Sequence, residues 1–146
     1  MSDSFLTVRN TSFGRLTNLL THHLNQEMEK RLAEKGLNIK LFGVIMILMA
    51  EDKITQIEIS KRIRVPGYAT SRTLDQLEKI DLIERTPDPS SRRSFLIVLT
   101  DKGRELGKTL PAIVKEVNHK MLAPLEEEER TQLLASLQKV VNTLTS

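Results

Sequence analysis

Between about residues 12 and 35, Leu16, Leu20, Leu24, Met28 and Leu32 fall every fourth position, with Phe13 and Leu19 beside them. That period predicts one long amphipathic helix, which Gly36 ends. The run "LFGVIMILMA" (41–50) is apolar nearly all round, so a second helix over about 40–50 is expected at the centre of the core. Thr55 opens a third helix with a capping-box spacing, Thr55-x-x-Glu58, and Ile59 and Ile63 give it a buried edge. "VPG" at 65–67 breaks it. A fourth helix is predicted from about 67 to 80, with Ala69, Leu74 and Leu77 inward.

The pattern then changes period. "DLIERTP" (81–87) reads as a short strand and "SFLIVL" (94–99) as a second. Between them lies a loop of turn formers, Pro87, Asp88, Pro89, Ser90 and Ser91, that ends on Arg92 and Arg93. Thr100 caps a further helix towards Met121, with Leu106, Leu110, Ile113, Val114 and Val117 on one face and a kink expected at Pro111. After Pro124, the acidic run 126–129 suits a helix N-terminus. Leu133, Leu134, Leu137, Val140, Val141 and Leu144 then continue a last helix. No internal repeat or low-complexity segment is visible.

The order helix, helix, short helix, tight turn, helix, hairpin, long helix, long helix defines the expected fold class. It is mainly α with a small β-hairpin wing, a single domain over 1–146 with a winged helix-turn-helix lobe at 55–99. The apolar stripes of the first and last helices lie outside that compact middle. They predict a dimerisation region formed by 12–35 and 101–146.

Composition narrows the function. The 146-residue chain has no cysteine, which excludes disulfide, iron–sulfur and thiol-redox chemistry. The first twenty residues lack a signal-peptide pattern, and the longest apolar stretch is too short to span a bilayer. A cytoplasmic protein with no membrane partner is expected. The net charge of +3 is modest, but its placement is uneven. Residues 55–104 carry 10 basic and 7 acidic groups, and 59–74 hold Lys61, Arg62, Arg64 and Arg72 with no acid. Arg92 and Arg93 form a second local excess. Such patches suit a polyanion.

"TQIEISKRIRV" (55–65), "SRTLDQLEKIDLIERTPDPSSRRSFLIVLT" (71–100), "LTDKGREL" (99–106) and "LEEEERTQLLASL" (125–137) together resemble the MarR family of bacterial transcriptional regulators. The resemblance implies a homodimer on a palindromic double-stranded DNA operator. Its recognition helices would enter adjacent major grooves, and its wing tips would reach the flanking minor grooves. It also implies a possible small aromatic or phenolic anion as effector, bound between the dimer helices and the DNA-binding lobe. Three features depart from the family pattern. Ser91 stands where the wing carries Asp before its arginines, Asp81 stands where a glycine ends the recognition helix, and Ala69 and Thr70 stand at the helix start.

The fourth helix is the expected recognition helix, offering Tyr68, Thr70, Ser71, Arg72 and Gln76 to DNA. Arg72 is the candidate base contact, since a guanidinium bonds guanine O6 and N7 together; the competing reading pairs it with Asp75 or Gln76 on its own helix. Ser71 and Thr70 are candidates for phosphate. Tyr68 would pack on a sugar or a thymine methyl, or else cap the core edge. Thr55, Gln56, Lys61 and Arg62 lie on the helix that crosses the DNA backbone, or else form a solvated face. Arg92 and Arg93 at the wing tip suit the negative potential of a narrow minor groove.

Catalysis finds little support. His22 and His23 are adjacent on a helix and point about 100° apart, a poor metal pair, and His119 stands alone. No catalytic residue, metal or cofactor is expected, so the chain is read as a non-enzyme; the resemblance implies a homodimeric, sequence-specific DNA-binding transcriptional regulator, a repressor relieved by a ligand. The alternative is a winged-helix protein-interaction module without specific DNA binding.

Overall fold

The computed structural model describes residues 2–146. Among these the order is α1 (Ser2–Thr11), α2 (Phe13–Ala33), α3 (Ile39–Ala50), β1 (Ile54–Thr55), α4 (Gln56–Ile63), α5 (Gly67–Lys79), β2 (Ile83–Asp88), β3 (Ser91–Leu99), α6 (Asp101–Met121) and α7 (Glu127–Thr145). The mainly helical class with a small hairpin wing is the one the periodicity predicts.

α3 is the central helix. Asn38 caps it, its Oδ1 accepting from the Leu41 amide at 2.9 Å, and Val44, Ile45 and Leu48 are fully buried. Around it pack Leu32 of α2, Ile59 of α4, Leu74 and Leu77 of α5, Ile97 of β3, and Leu110 and Val117 of α6. α2 stops at a left-handed Gly36 (φ 71°). There the Gly36 amide donates to Ala33 O at 3.0 Å and the Leu37 amide to Leu32 O at 2.9 Å, the paired bonds of a Schellman closure.

The three strands form an antiparallel sheet in the order β1-β3-β2. β1 pairs Ile54 with Ile97, and β2 pairs Ile83 with Leu99. The N-terminus of α6 is fastened to this lobe. Thr100 Oγ1 accepts from the Gly103 amide at 3.0 Å and donates to Asp81 O at 2.7 Å. Gly103 lies so close to the Leu82 carbonyl that a Cβ there would stand 2.1 Å from its oxygen.

Four features differ from the periodicity. Residues 2–11 form a helix, α1, where none is predicted. β1 joins the sheet although only two residues long. The wing loop shrinks to Pro89 and Ser90, because β3 begins at Ser91 and Arg92 and Arg93 belong to it. α6 runs through Pro111 as one helix. No helix among the described residues is long and apolar enough to cross a membrane.

Candidate nucleic-acid interface

α4 and α5 are held at their crossing by side chains of their own facing turns. Thr55 caps α4, its Oγ1 accepting from the Glu58 amide at 3.2 Å. Arg64 ends the helix in the left-handed region (φ 56°). Ser60 Oγ on α4 donates to Thr70 Oγ1 on α5 at 2.7 Å, and Gln56 Nε2 donates to Gly67 O at 3.2 Å.

These contacts correct one expectation. Thr70 is completely buried, and its hydroxyl is shared between Ser60 Oγ and, at 3.4 Å, Pro66 O. It falls four residues before Leu74 and seven before Leu77, on the buried face of α5, so it holds α4 against α5 and is withdrawn from phosphate. Gln56 and Thr55 are also half-buried and bonded within the lobe.

On the opposite face of α5, Tyr68, Arg72 and Gln76 recur every four residues and are all exposed. Tyr68 is 69% exposed, which places its ring in solvent and away from the core edge. Ser71 is half-buried at the side of that face. The first turn of α5 holds no acid, so its free amides present partial positive charge beside these side chains. Arg72 makes no ion pair among the described residues. Its in-helix competitor Asp75 is engaged by Arg85 of β2, whose Nη2 donates to Asp75 Oδ1 at 2.8 Å.

On α4, Lys61 is exposed with no ion partner among the described residues, whereas Arg62 pairs with Glu51. The wing tip is organised by Asp88. Its carboxylate accepts from the Ser90 amide at 2.9 Å, Ser90 Oγ at 2.7 Å and Ser94 Oγ at 2.8 Å. Those bonds, the Ser90 amide foremost, hold its pKa below the ordinary carboxylate value, because each stabilises the charged form. A carboxylate therefore does order this wing, from the other strand of the hairpin and through serines. Between the pairs Pro87↔Phe95 and Asp88↔Ser91 the register shifts, so Arg92, Arg93 and Ser94 bulge from the ladder. Both arginines are exposed and without an ion partner among the described residues.

Sequence reasoning passed over Arg85, and took Asp88 only as a turn former without its role in ordering the wing. For Asp88 a signal was present, since Asp followed two residues later by Ser is an Asx-turn pattern. For Arg85 none was, because its partners lie on another element. No group of three or more His, Asp or Glu side chains that could hold a metal ion occurs among the described residues.

Residues 37–95 match the MarR family model. The chain is 26% identical over 133 residues to the HTH-type transcriptional regulator BilQ of Clostridium symbiosum, covering 90% of this chain and 92% of that one. It is 28% identical over 109 residues to the uncharacterized HTH-type transcriptional regulator YdgJ of Bacillus subtilis, covering 75% of this chain and 66% of that one. Among solved structures, the reduced form of MarR from E. coli superposes with a TM-score of 0.83 at 25% identity, covering 88% of this chain and 95% of that one. MepR of S. aureus in complex with DNA superposes with a TM-score of 0.78 at 27% identity, covering 90% and 98%.

Proposed function

We propose that the chain, whose residues 37–95 match the MarR family model, is a MarR-family homodimeric, sequence-specific DNA-binding transcriptional regulator, a repressor relieved by a small ligand. Residues 55–99 act as the DNA-binding lobe, and 12–35 with 101–146 act as the dimerisation region, joined there by the exposed apolar side chains of α1. The observation that carries the reading is that Arg72, Arg92 and Arg93 are exposed with no acidic partner among the described residues. Free guanidinium groups on a recognition helix and on a wing are what a base edge and a phosphate backbone need.

In the DNA-bound reading Tyr68, Ser71, Arg72 and Gln76 face the major groove, Lys61 and Arg62 the backbone, and Arg92 and Arg93 the minor groove. Ligand relief is supported by a cavity of about 390 Å³ where the end of α5 meets α2 and α6. Ile80, Leu82 and Leu106 make it apolar, and Lys35 and Lys102 flank it, a lining suited to an amphipathic anion.

A salt titration on duplex DNA tests the reading. The wild-type chain should enrich one sequence from a random pool, with log K falling steeply against log salt. Each phosphate contact contributes roughly 0.9 to that slope, and a dimer presents each arginine twice. Removing Arg92 and Arg93 should therefore flatten the slope by up to about two units per arginine, leaving the preference inside the half-sites intact. Absence of sequence preference in the wild-type chain would favour a protein-interaction module.

A further inference from the structure

Arg85 sits on β2 and reaches across to α5. Its Nη2 meets Asp75 Oδ1 at 2.8 Å and its Nη1 meets Glu78 Oε2 at 3.0 Å. The Arg85 side chain is only 21% exposed, while Asp75 and Glu78 are 66% and 48% exposed. Asp75 follows Arg72 by three residues on the same helix, so it is the carboxylate within natural reach of that guanidinium. Arg72 nevertheless makes no ion pair among the described residues, while Asp75 Oδ1 is taken by Arg85.

We propose that Arg85 is a positioning residue for DNA recognition, one that withholds Asp75 from Arg72 and so keeps the Arg72 guanidinium free for a base edge. By holding Glu78 as well, it sets the angle between the recognition helix and the wing. The inference rests on the DNA-binding reading above. Its logic is competition. An arginine that must leave a neighbouring carboxylate before meeting a base forfeits part of its discrimination, and one with no such partner does not. The planar fork of Arg85, held on a strand and half-shielded from water, has geometry to engage both acids at once.

The experiment uses the full chain and a duplex that the wild-type protein enriches from a random pool, with a scrambled duplex of equal length as reference. The readout is the ratio of the two affinities, measured across a salt series. Arg85→Ala should reduce that ratio about tenfold, as expected when a contact is left loosely positioned. It should leave the salt slope at the wild-type value, because Arg85 meets no phosphate. Adding Asp75→Asn to Arg85→Ala should restore most of the ratio, since Arg72 then has no carboxylate to turn to. A general gain from losing one negative charge would instead raise both affinities and leave the ratio unrestored. If Arg85→Ala does not fold, judged by its circular-dichroism melt, Arg85→Lys takes its place, with a smaller loss and the same suppression by Asp75→Asn.

A slope reduced by about two units would make Arg85 a phosphate contact. That result, an unchanged ratio in Arg85→Ala, or a double variant no better than the single would overturn the proposal. Failure of the wild-type chain to enrich any sequence would overturn the DNA-binding reading along with it. A sequence-selective wild type with an unrescued double variant would overturn the role of Arg85 alone.

Discussion

Asp81 stands at φ 62°, directly after α5. Its amide donates to Glu78 O at 3.0 Å and the next amide, Leu82, to Leu77 O at 2.9 Å, the same closure that Gly36 makes after α2. A left-handed L-residue costs roughly 1–2 kcal/mol, less for Asp, whereas glycine adopts that region freely. Asp81→Gly should therefore raise stability by about 0.5–1 kcal/mol, read as a higher denaturant midpoint with an unchanged slope. A lower midpoint would mean the Asp81 side chain contributes something its backbone does not reveal. At this scale the sequence was legible where one residue answers to one local rule, as at Gly36, Thr55 and Thr100. It was misread at Thr70, where a hydroxyl suggested phosphate although the spacing to Leu74 and Leu77 already put it on the buried stripe.

Between elements, the junction of α2 with α6 is electrostatic at its rim. Glu27 accepts from Lys120 Nζ at 2.8 Å and from Arg31 Nη1 at 2.8 Å, and Arg31 Nε meets Glu116 at 3.3 Å. Lys120 first and Arg31 second hold the Glu27 carboxyl at about 2, against an ordinary value of 4.5. A carboxylate depressed in the folded state stabilises in full above its unfolded pKa, and that contribution is lost as pH falls through the window from about 4.5 to about 2. Glu27→Gln should thus melt below the wild type at neutral pH, with the two melting temperatures converging across that acid window. Parallel curves would show that the cluster does not couple to folding. Neither this cluster nor β1 could be read from periodicity, because both exist only through partners distant in the chain. α1 escaped for a related reason. Its apolar residues Phe5, Leu6 and Val8 are too few to mark a face, and a helix of that length is marginal without a neighbour. The wing arginines were recognised, but their setting was misjudged as loop, since β3 begins at Ser91 through its pairing with Asp88 of β2, a residue outside the apolar run.

Across the whole molecule, the part of the chain with least internal support is α7. Its nineteen residues include none that is buried, yet Leu133, Leu134, Val140, Val141 and Leu144 recur along one face and are 37–77% exposed. Phe5 and Val8 of α1 and Phe13, Leu16 and Leu20 of α2 are open in the same way. A helix of this size with an uncovered apolar face is marginal in water, so its helicity requires cover from outside the chain. In the homodimer proposed above, a second copy would supply a matching surface through a two-fold axis. Sedimentation equilibrium of the purified chain should accordingly give about twice its 16.6 kDa mass. Leu134→Glu with Val141→Glu places two charges seven residues apart on the α7 face, and should give a monomer with reduced helical signal and an intact α3-centred core. Because one winged lobe makes half the phosphate contacts, the monomer's salt slope should be about half the dimer's. Its affinity for a two-half-site duplex should fall by roughly a hundredfold or more, the gain ordinarily supplied by linking two binding modules. A monomeric variant that holds the duplex as tightly as the wild type would show that each lobe acts alone, and that the apolar face of α7 serves some end other than DNA binding.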